Sequence, residues 1–235
     1  MNKMFFKFPS TPHLITLGGT SVREDKVLSQ KRREDFLKNI LIVEEKIDGA
    51  NLGISFDAQG TLILQNRSSI LLPPYSGQWK KLESWLPPRL EIFFDHLFDR
   101  YILFGEWCYA KHSVGYNRLP DYFLGFDILD KQKCQFLSLK YRNRIFKEMS
   151  ISSVPFIQKG LFTLQQLEKL MGSSCFGPEQ GEGIYLRCDG EKWLKQRAKI
   201  VKDQFIQNID IHWSRKAIIP NRIRASQGWN QCEIT

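Results

Sequence analysis

Nothing in this 235-residue chain approaches the run of about 18 apolar residues that a membrane-spanning helix requires. The opening stretch, Met1 to Pro9, holds too short an apolar segment for a secretory signal. Cysteine is sparse, odd in number and scattered (Cys108, Cys134, Cys175, Cys188, Cys232), and no pair has CxxC spacing. That pattern indicates neither a zinc site nor a disulfide framework, and it makes a reducing cytoplasm the expected compartment. No Walker sequence and no GxGxxG occurs, so the two commonest phosphate-binding loops are missing. A basic amphipathic helix of useful length is also lacking, which argues against a membrane-surface role.

Acidic residues are outnumbered. Against 34 Lys and Arg stand 25 Asp and Glu, a net charge of +9 that points to an anionic partner. Aromatics are plentiful at 13%, enough for a substantial core. With no internal repeat and no low-complexity linker, residues 1–235 are expected to form a single domain and a monomer.

The periodicity predicts short strands with a few helices between them. Ile40 to Val43 leads into Glu44-Glu45-Lys46. Leu52 to Phe56 and Thr61 to Gln65 flank Asp57-Ala58-Gln59-Gly60 as a hairpin. Trp79–Trp85 and Leu90–Phe98 have helical apolar spacing. Tyr101 to Trp107 and Tyr122 to Leu129 are expected strands, then a helix over Leu139 to Met149. A helix over Leu164 to Met171 is N-capped by Thr163. Gly183 to Arg187 and Trp193 to Val201 complete the strands, and a short helix is expected near Gln204 to Trp213. The order is α+β, without an alternating βαβ series.

The chemistry begins at Lys46-Ile47-Asp48-Gly49, where a lysine at a strand-to-loop junction can be presented to a phosphate as a nucleophile. Further signatures follow in a fixed order: Arg67 after the hairpin, Phe104-Gly105-Glu106-Trp107, Phe123-Leu124-Gly125-Phe126-Asp127-Ile128, Gly181-Glu182-Gly183-Ile184-Tyr185-Leu186-Arg187, and Arg197-Ala198-Lys199. Together they resemble the covalent nucleotidyltransferases, the superfamily of DNA ligases, RNA ligases and capping enzymes. The matches run from about residue 44 to residue 202.

The resemblance implies a nucleotidyltransferase (adenylation) domain of two antiparallel sheets with flanking helices around an ATP pocket. It implies Lys46 as the carrier of AMP and Lys199 and Glu182 as its catalytic companions, with Glu182 serving Mg2+ or Mn2+. Glu44, Glu45, Asn51, Arg67, Glu106, Phe126, Arg197 and Lys199 would hold the nucleotide, Glu106 through the ribose and Phe126 by stacking on adenine. A lysine amine with an ordinary pKa of about 10.4 must be made less basic to attack, and Arg67, Lys199, Arg197 and a metal are the expected cause.

Asn51, five residues past Lys46, resembles the RNA ligase 2-like branch, where DNA ligases carry arginine. Only about 30 residues follow the last motif, too few for a C-terminal OB-fold. The expectation is an ATP-dependent RNA ligase acting on RNA ends or nicked duplex. The alternatives are an ATP-dependent DNA ligase, a capping-type guanylyltransferase, or a non-catalytic nucleic-acid-binding relative. Whether Lys195 or Arg197 partners Lys199 stays open.

Overall fold

The computed structural model describes residues 5–18, 26–203, 205 and 218–224. The helix expected near Gln204 to Trp213 lies almost wholly outside them. Among the described residues ten strands alternate irregularly with five α-helices: α1 (Gln30–Leu37), β1 (Leu41–Lys46), β2 (Ala50–Phe56), β3 (Leu62–Gln65), β4 (Ile70–Leu71), α2 (Leu82–Trp85), α3 (Leu90–Leu97), β5 (Tyr101–Trp107), β6 (Phe123–Asp130), β7 (Gln135–Phe136), α4 (Leu139–Glu148), β8 (Phe156–Gly160), α5 (Leu164–Lys169), β9 (Gly183–Asp189) and β10 (Leu194–Val201).

Local chemistry accounts for several boundaries. In the β2–β3 hairpin the Asp57 carboxylate accepts from the amides of Gln59 and Thr61, and Gly60 takes a positive φ of 79°. Thr163 and Gln166 form a reciprocal capping box at the start of α5. Trp79–Trp85, expected as one helical segment, is instead a 3-10 turn over Gly77–Trp79 followed by the four-residue α2. Four elements escape the periodicity. Helix α1 (Gln-Lys-Arg-Arg-Glu-Asp-Phe-Leu) buries only Phe36 and so has no apolar stripe to detect. Strand β8 is a largely exposed edge strand, and β4 and β7 have two residues each.

The strands form two antiparallel sheets, one of four in the order β10-β9-β1-β8 and one of six in the order β4-β3-β2-β5-β6-β7. Side chains alternate across a strand, so each sheet has an outer and an inner face. The outer face of the six-stranded sheet (Leu52, Ile54, Leu103, Trp107) packs on Leu82, Trp85, Phe93 and Leu97. That of the four-stranded sheet (Leu41, Val43, Ile184, Leu186, Ile200) packs on Leu14, Phe36, Phe162 and Leu167. Both outer faces are oily. The inner faces carry the charges.

Those charges bolt the sheets together. Arg187 of β9 donates to Asp127 of β6, and Arg197 of β10 donates to the other Asp127 oxygen at 3.1 Å. Arg142 of α4 grips Glu44 of β1 through both carboxylate oxygens, at 2.6 and 3.1 Å, and donates to the Phe126 carbonyl at 2.6 Å. The side chains of Glu44, Arg142, Asp127 and Arg187 are each no more than 1% exposed. Beside them the N-terminal segment slots in, with Phe8 against Phe104, Phe126 and Phe136 and under the Arg197 guanidinium.

Removing one partner of a buried ion pair strands the other charge. Arg142→Met is expected to lower the unfolding free energy by about 3–5 kcal/mol, measured by urea denaturation. The double variant Glu44→Leu/Arg142→Met should recover most of that loss. A loss below about 1 kcal/mol for Arg142→Met would show that Glu44 tolerates isolation.

Candidate active site

The chain leaves the four-stranded sheet at Lys46 and enters the six-stranded sheet at Ala50, so Lys46-Ile47-Asp48-Gly49 is the crossover between them. Asp48 fixes this loop: its Oδ2 accepts from the amides of Ser113 (2.6 Å) and Val114 (2.9 Å), and its own amide donates to the Tyr116 hydroxyl at 2.8 Å. A Cβ at Gly49 would lie 2.8 Å from the Trp107 carbonyl oxygen and 3.0 Å from Glu106 Cγ. Only glycine allows the crossover to lie this close to β5.

Lys46 Nζ donates to Glu182 Oε2 at 2.6 Å. Pairing of Lys46 with Gly183 across β1 and β9 sets this contact, because Glu182 is the residue before that strand. Glu106 pairs with Asn51 across β5 and β2 on the inner face. Lys199 pairs with Tyr185, and Tyr185 with Glu44, which puts Lys199 on the inner face of the other sheet. Lys46, Glu182, Glu106 and Lys199 therefore meet, although they come from four separate segments. Arg67 stands at the rim, exposed, and acts electrostatically on Glu106 and Lys199.

The charge state of this cluster departs from the expectation of a neutral amine among cations. Burial disfavours the Lys46 ammonium, but Glu182, Glu106 and Asp48 outweigh it and raise the pKa. Lys46 is an ammonium ion among carboxylates in this structure. Glu106 is pushed up to about 8, first by burial and then by Glu182 and Asp48, against the pull of Lys46 and Arg67. Lys199 is lowered to about 8 by burial and then by repulsion from Lys46, with Arg67 and Lys26 adding to it.

Two expected nucleotide contacts are corrected. Both oxygens of Glu44 are taken by Arg142 in the closed core, which leaves none to reach a base. Arg197 is committed to Asp127, to the Tyr185 hydroxyl at 3.3 Å and to the rings of Phe8 and Phe136, so Lys199 alone of this pair faces Lys46. Lys195 is exposed on the same strand. Phe126 occupies a bulge in β6, where the pairing jumps from Phe104–Asp127 to Gly105–Gly125. Such an extra residue re-aims its side chain. The ring packs with the hydrophobic group of Ile47, Leu124 and Val154.

Buried polar atoms without a partner mark the cleft further. Among the described residues they are His13 Nδ1, Glu45 Oε1, Asn51 Oδ1, Arg187 Nε and Asp189 Oδ1. The last two face one another as an ion pair at 3.4 Å. The other three belong to residues around Lys46; the second Glu45 oxygen accepts from the Cys175 amide at 3.0 Å. Orphaned buried groups of this kind are uncommon and call for a ligand or ordered water. Arg142 carries no spacing signal in the sequence; packing of α4 against β1 and β6 is what brings it in. His112, near the third motif, hydrogen-bonds Gln78 at 2.9 Å.

A search of curated proteins finds no match. Solved structures of Naegleria gruberi RNA ligase are similar in fold. A lysine-to-alanine variant with ATP and Mn matches at a TM-score of 0.58 and 19% identity, covering 77% of this chain and 54% of that one. The same enzyme with PPi matches at 0.56 and 19%, covering 73% and 52%. A lysine-to-methionine variant with AMP and Mn matches at 0.57 and 19%, covering 74% and 53%. The chain thus spans about half the length of these proteins. The two inner-facing antiparallel sheets agree with that fold, and the family model described as RNA ligase matches residues 39–202. With well over half of its length matched, and with Lys46, Glu106, Glu182 and Lys199 converging inside the matched region, this chain belongs to the RNA ligase family.

Proposed function

We propose that the chain is an ATP-dependent RNA ligase that carries AMP on Lys46. The reading rests on one observation above all: the Lys46 amine lies 2.6 Å from Glu182 where the chain crosses between two sheets, with Glu106 and Lys199 around it. The reaction has three steps. Lys46 Nζ, once deprotonated, attacks the α-phosphorus of ATP and pyrophosphate leaves. The AMP passes to a 5′-phosphate end of RNA. A 3′-hydroxyl then attacks that activated end and AMP is released.

Lys199 would neutralise charge developing on the α-phosphate, a task suited to a cation that has no fixed anion among the described residues. We assign the ribose to Glu106 and the base edge to the unpartnered oxygen of Glu45. Phe126, Ile47 and Val154 supply the apolar wall against the base. Asn51, with its free buried oxygen beside Glu106, supports RNA as the substrate because it suits a hydroxyl as well as a phosphate. Arg67 at the rim suits a phosphate approaching from solvent.

Glu182 is the carboxylate we assign to Mg2+ or Mn2+. Its oxygen already faces a cation in this structure, the Lys46 ammonium. Among the described residues no group of three His, Cys, Asp or Glu side chains forms a cage. A single carboxylate fits an ion that completes its shell with phosphate oxygens and water. When bound, the ion would neutralise phosphate charge and compete with Lys46 for Glu182.

We further propose that residues 1–235 act as one nucleotidyltransferase domain, a cytoplasmic monomer that takes RNA ends or nicked duplex. The shared inner ion pairs support this. No helix among the described residues is long and apolar enough to cross a membrane.

Incubation with ATP labelled at the α-phosphate and Mg2+ or Mn2+ should leave a label on the denatured wild-type protein and none on Lys46→Ala. A label taken from GTP instead, or a sealed nick with DNA but not RNA on the 3′-hydroxyl side, would replace the RNA ligase reading. Lys199→Ala should fold normally yet label about 10²–10³-fold more slowly, the usual cost of losing one group that stabilises transition-state charge.

A further inference from the structure

One buried polar side chain beside the cleft has no part in the steps above. His13 is 7% exposed, and its Nδ1 has no hydrogen-bond partner. The backbone around it is firmly held. His13 N donates to the Lys26 carbonyl at 2.8 Å, and the Leu28 amide donates back to the His13 carbonyl at 2.8 Å. The Leu14 amide donates to the Lys199 carbonyl at 2.8 Å, and the Lys199 amide to the Pro12 carbonyl at 3.0 Å.

Residues 12–14 thus extend the four-stranded sheet beyond β10, with His13 bridged in parallel to Lys199 on one side and to Val27 on the other. Bridged residues point to the same face, so the imidazole lies on the inner face next to the Lys199 side chain. Lys46, Lys199 and Lys26 all act on it electrostatically, and burial with these three cations lowers its pKa to about 4. The ring is neutral at physiological pH. It therefore offers a hydrogen bond without another charge.

The surroundings name the ligand class. The carboxylates Glu182, Glu106 and Asp48 gather around Lys46, whereas Lys199 and Lys26 have no ion-pair or hydrogen-bond partner for their amines among the described residues. Two ammonium groups with no ion-pair partner among the described residues, beside an orphaned buried imidazole, suit a multiply charged phosphoryl group. Direction along the cleft narrows it further. Val154, next to the Pro155 whose carbonyl accepts from the Glu45 amide at 2.8 Å, stands with Ile47 on the β8 side of Lys46, and His13 with Lys26 lies past β10 on the opposite side. A nucleotide with its base on the apolar wall and its α-phosphate at Lys46 and Lys199 runs outward toward His13.

We infer that His13 and Lys26, together with Lys199, form a subsite for the pyrophosphate end of ATP, holding it as it leaves and admitting it in the reverse reaction. The inference rests on the ligase reading. In the step concerned, the bond from Lys46 Nζ to the α-phosphorus forms as the bond from that phosphorus to its bridging oxygen breaks. The electron pair stays on that oxygen, Nζ gives up a proton to solvent, and pyrophosphate leaves with the added negative charge. His13 binds the departing group and does not touch the reacting atoms.

The test uses inorganic pyrophosphate. Protein loaded with labelled AMP and freed of ATP is mixed with Mg2+ and increasing pyrophosphate, and release of labelled ATP is followed. Half-saturation should rise about tenfold in His13→Ala and in the exposed Lys26→Ala, the cost of one hydrogen bond to a charged group. His13→Asn should restore part of it. Sealing of a pre-adenylylated strand, which involves no pyrophosphate, serves as the reference, and the ratio of the two activities should fall accordingly. Nitrogen NMR of the wild-type imidazoles, assigned with His13→Asn, should show His13 shifting saturably with pyrophosphate, and this readout needs no loaded enzyme.

Unchanged half-saturation in His13→Ala and Lys26→Ala, or an unmoved His13 resonance, would overturn the subsite. So would a defect confined to the 5′-phosphorylated strand, because the pocket would then serve RNA. Failure of the wild type to take label from ATP at Lys46 would instead remove the ligase reading, a separate outcome.

Discussion

The structure depends on a set of ion pairs sealed between two sheets. Glu44 with Arg142, and Asp127 with Arg187 and Arg197, lie where a sandwich ordinarily carries apolar side chains. Charges taken out of water are costly unless they are paired and hydrogen-bonded in good geometry. Here the geometry is good, because Arg142 closes on both Glu44 oxygens and Asp127 receives a guanidinium on each of its own. Apolar packing would let the sheets slide with little penalty, whereas sliding these by a residue would isolate several charges at once. The spacing of the cleft follows from that constraint.

Lys46 stands at the edge of this sealed region. Its strand is anchored through Glu44, and its loop through Asp48 on the amides of residues 113 and 114. Both neighbours are therefore fixed while the amine itself stays in the opening. The carboxylates that hold it also keep it charged. On the proposed ligase reading, a cation that took up Glu182 would release Lys46 from its ion pair.

The cleft is divided in charge. Carboxylates surround Lys46, and cations with a neutral imidazole lie beyond it toward the open sheet edge. The proposed nucleoside triphosphate would suit that division, with its base and sugar on the apolar and carboxylate side and its phosphates on the cationic one. An undifferentiated basic patch would attract any polyanion equally. This arrangement also favours one orientation along the groove.

The strong strands and the longer helices could be read from residue patterns alone, because oily outer faces impose alternation and helical spacing. Lys46, Glu106, Glu182 and Lys199 were singled out by residue type and order, and strand pairing brings them together. Helix α1 and strand β8 could not be read that way, as neither has an apolar stripe. Sequence motifs also misassigned Glu44 and Arg197, whose types fit a nucleotide site but whose carboxylate and guanidinium are used up between the sheets. The charge on Lys46 and the place of His13 were likewise beyond the sequence. Both depend on which side chains strand pairing brings within a few ångströms, and residues 13, 26 and 199 become neighbours only when that pairing is complete. A chain's order determines its local periodicity and its reactive residue types; electrostatics belongs to distances, and distances are set by the fold.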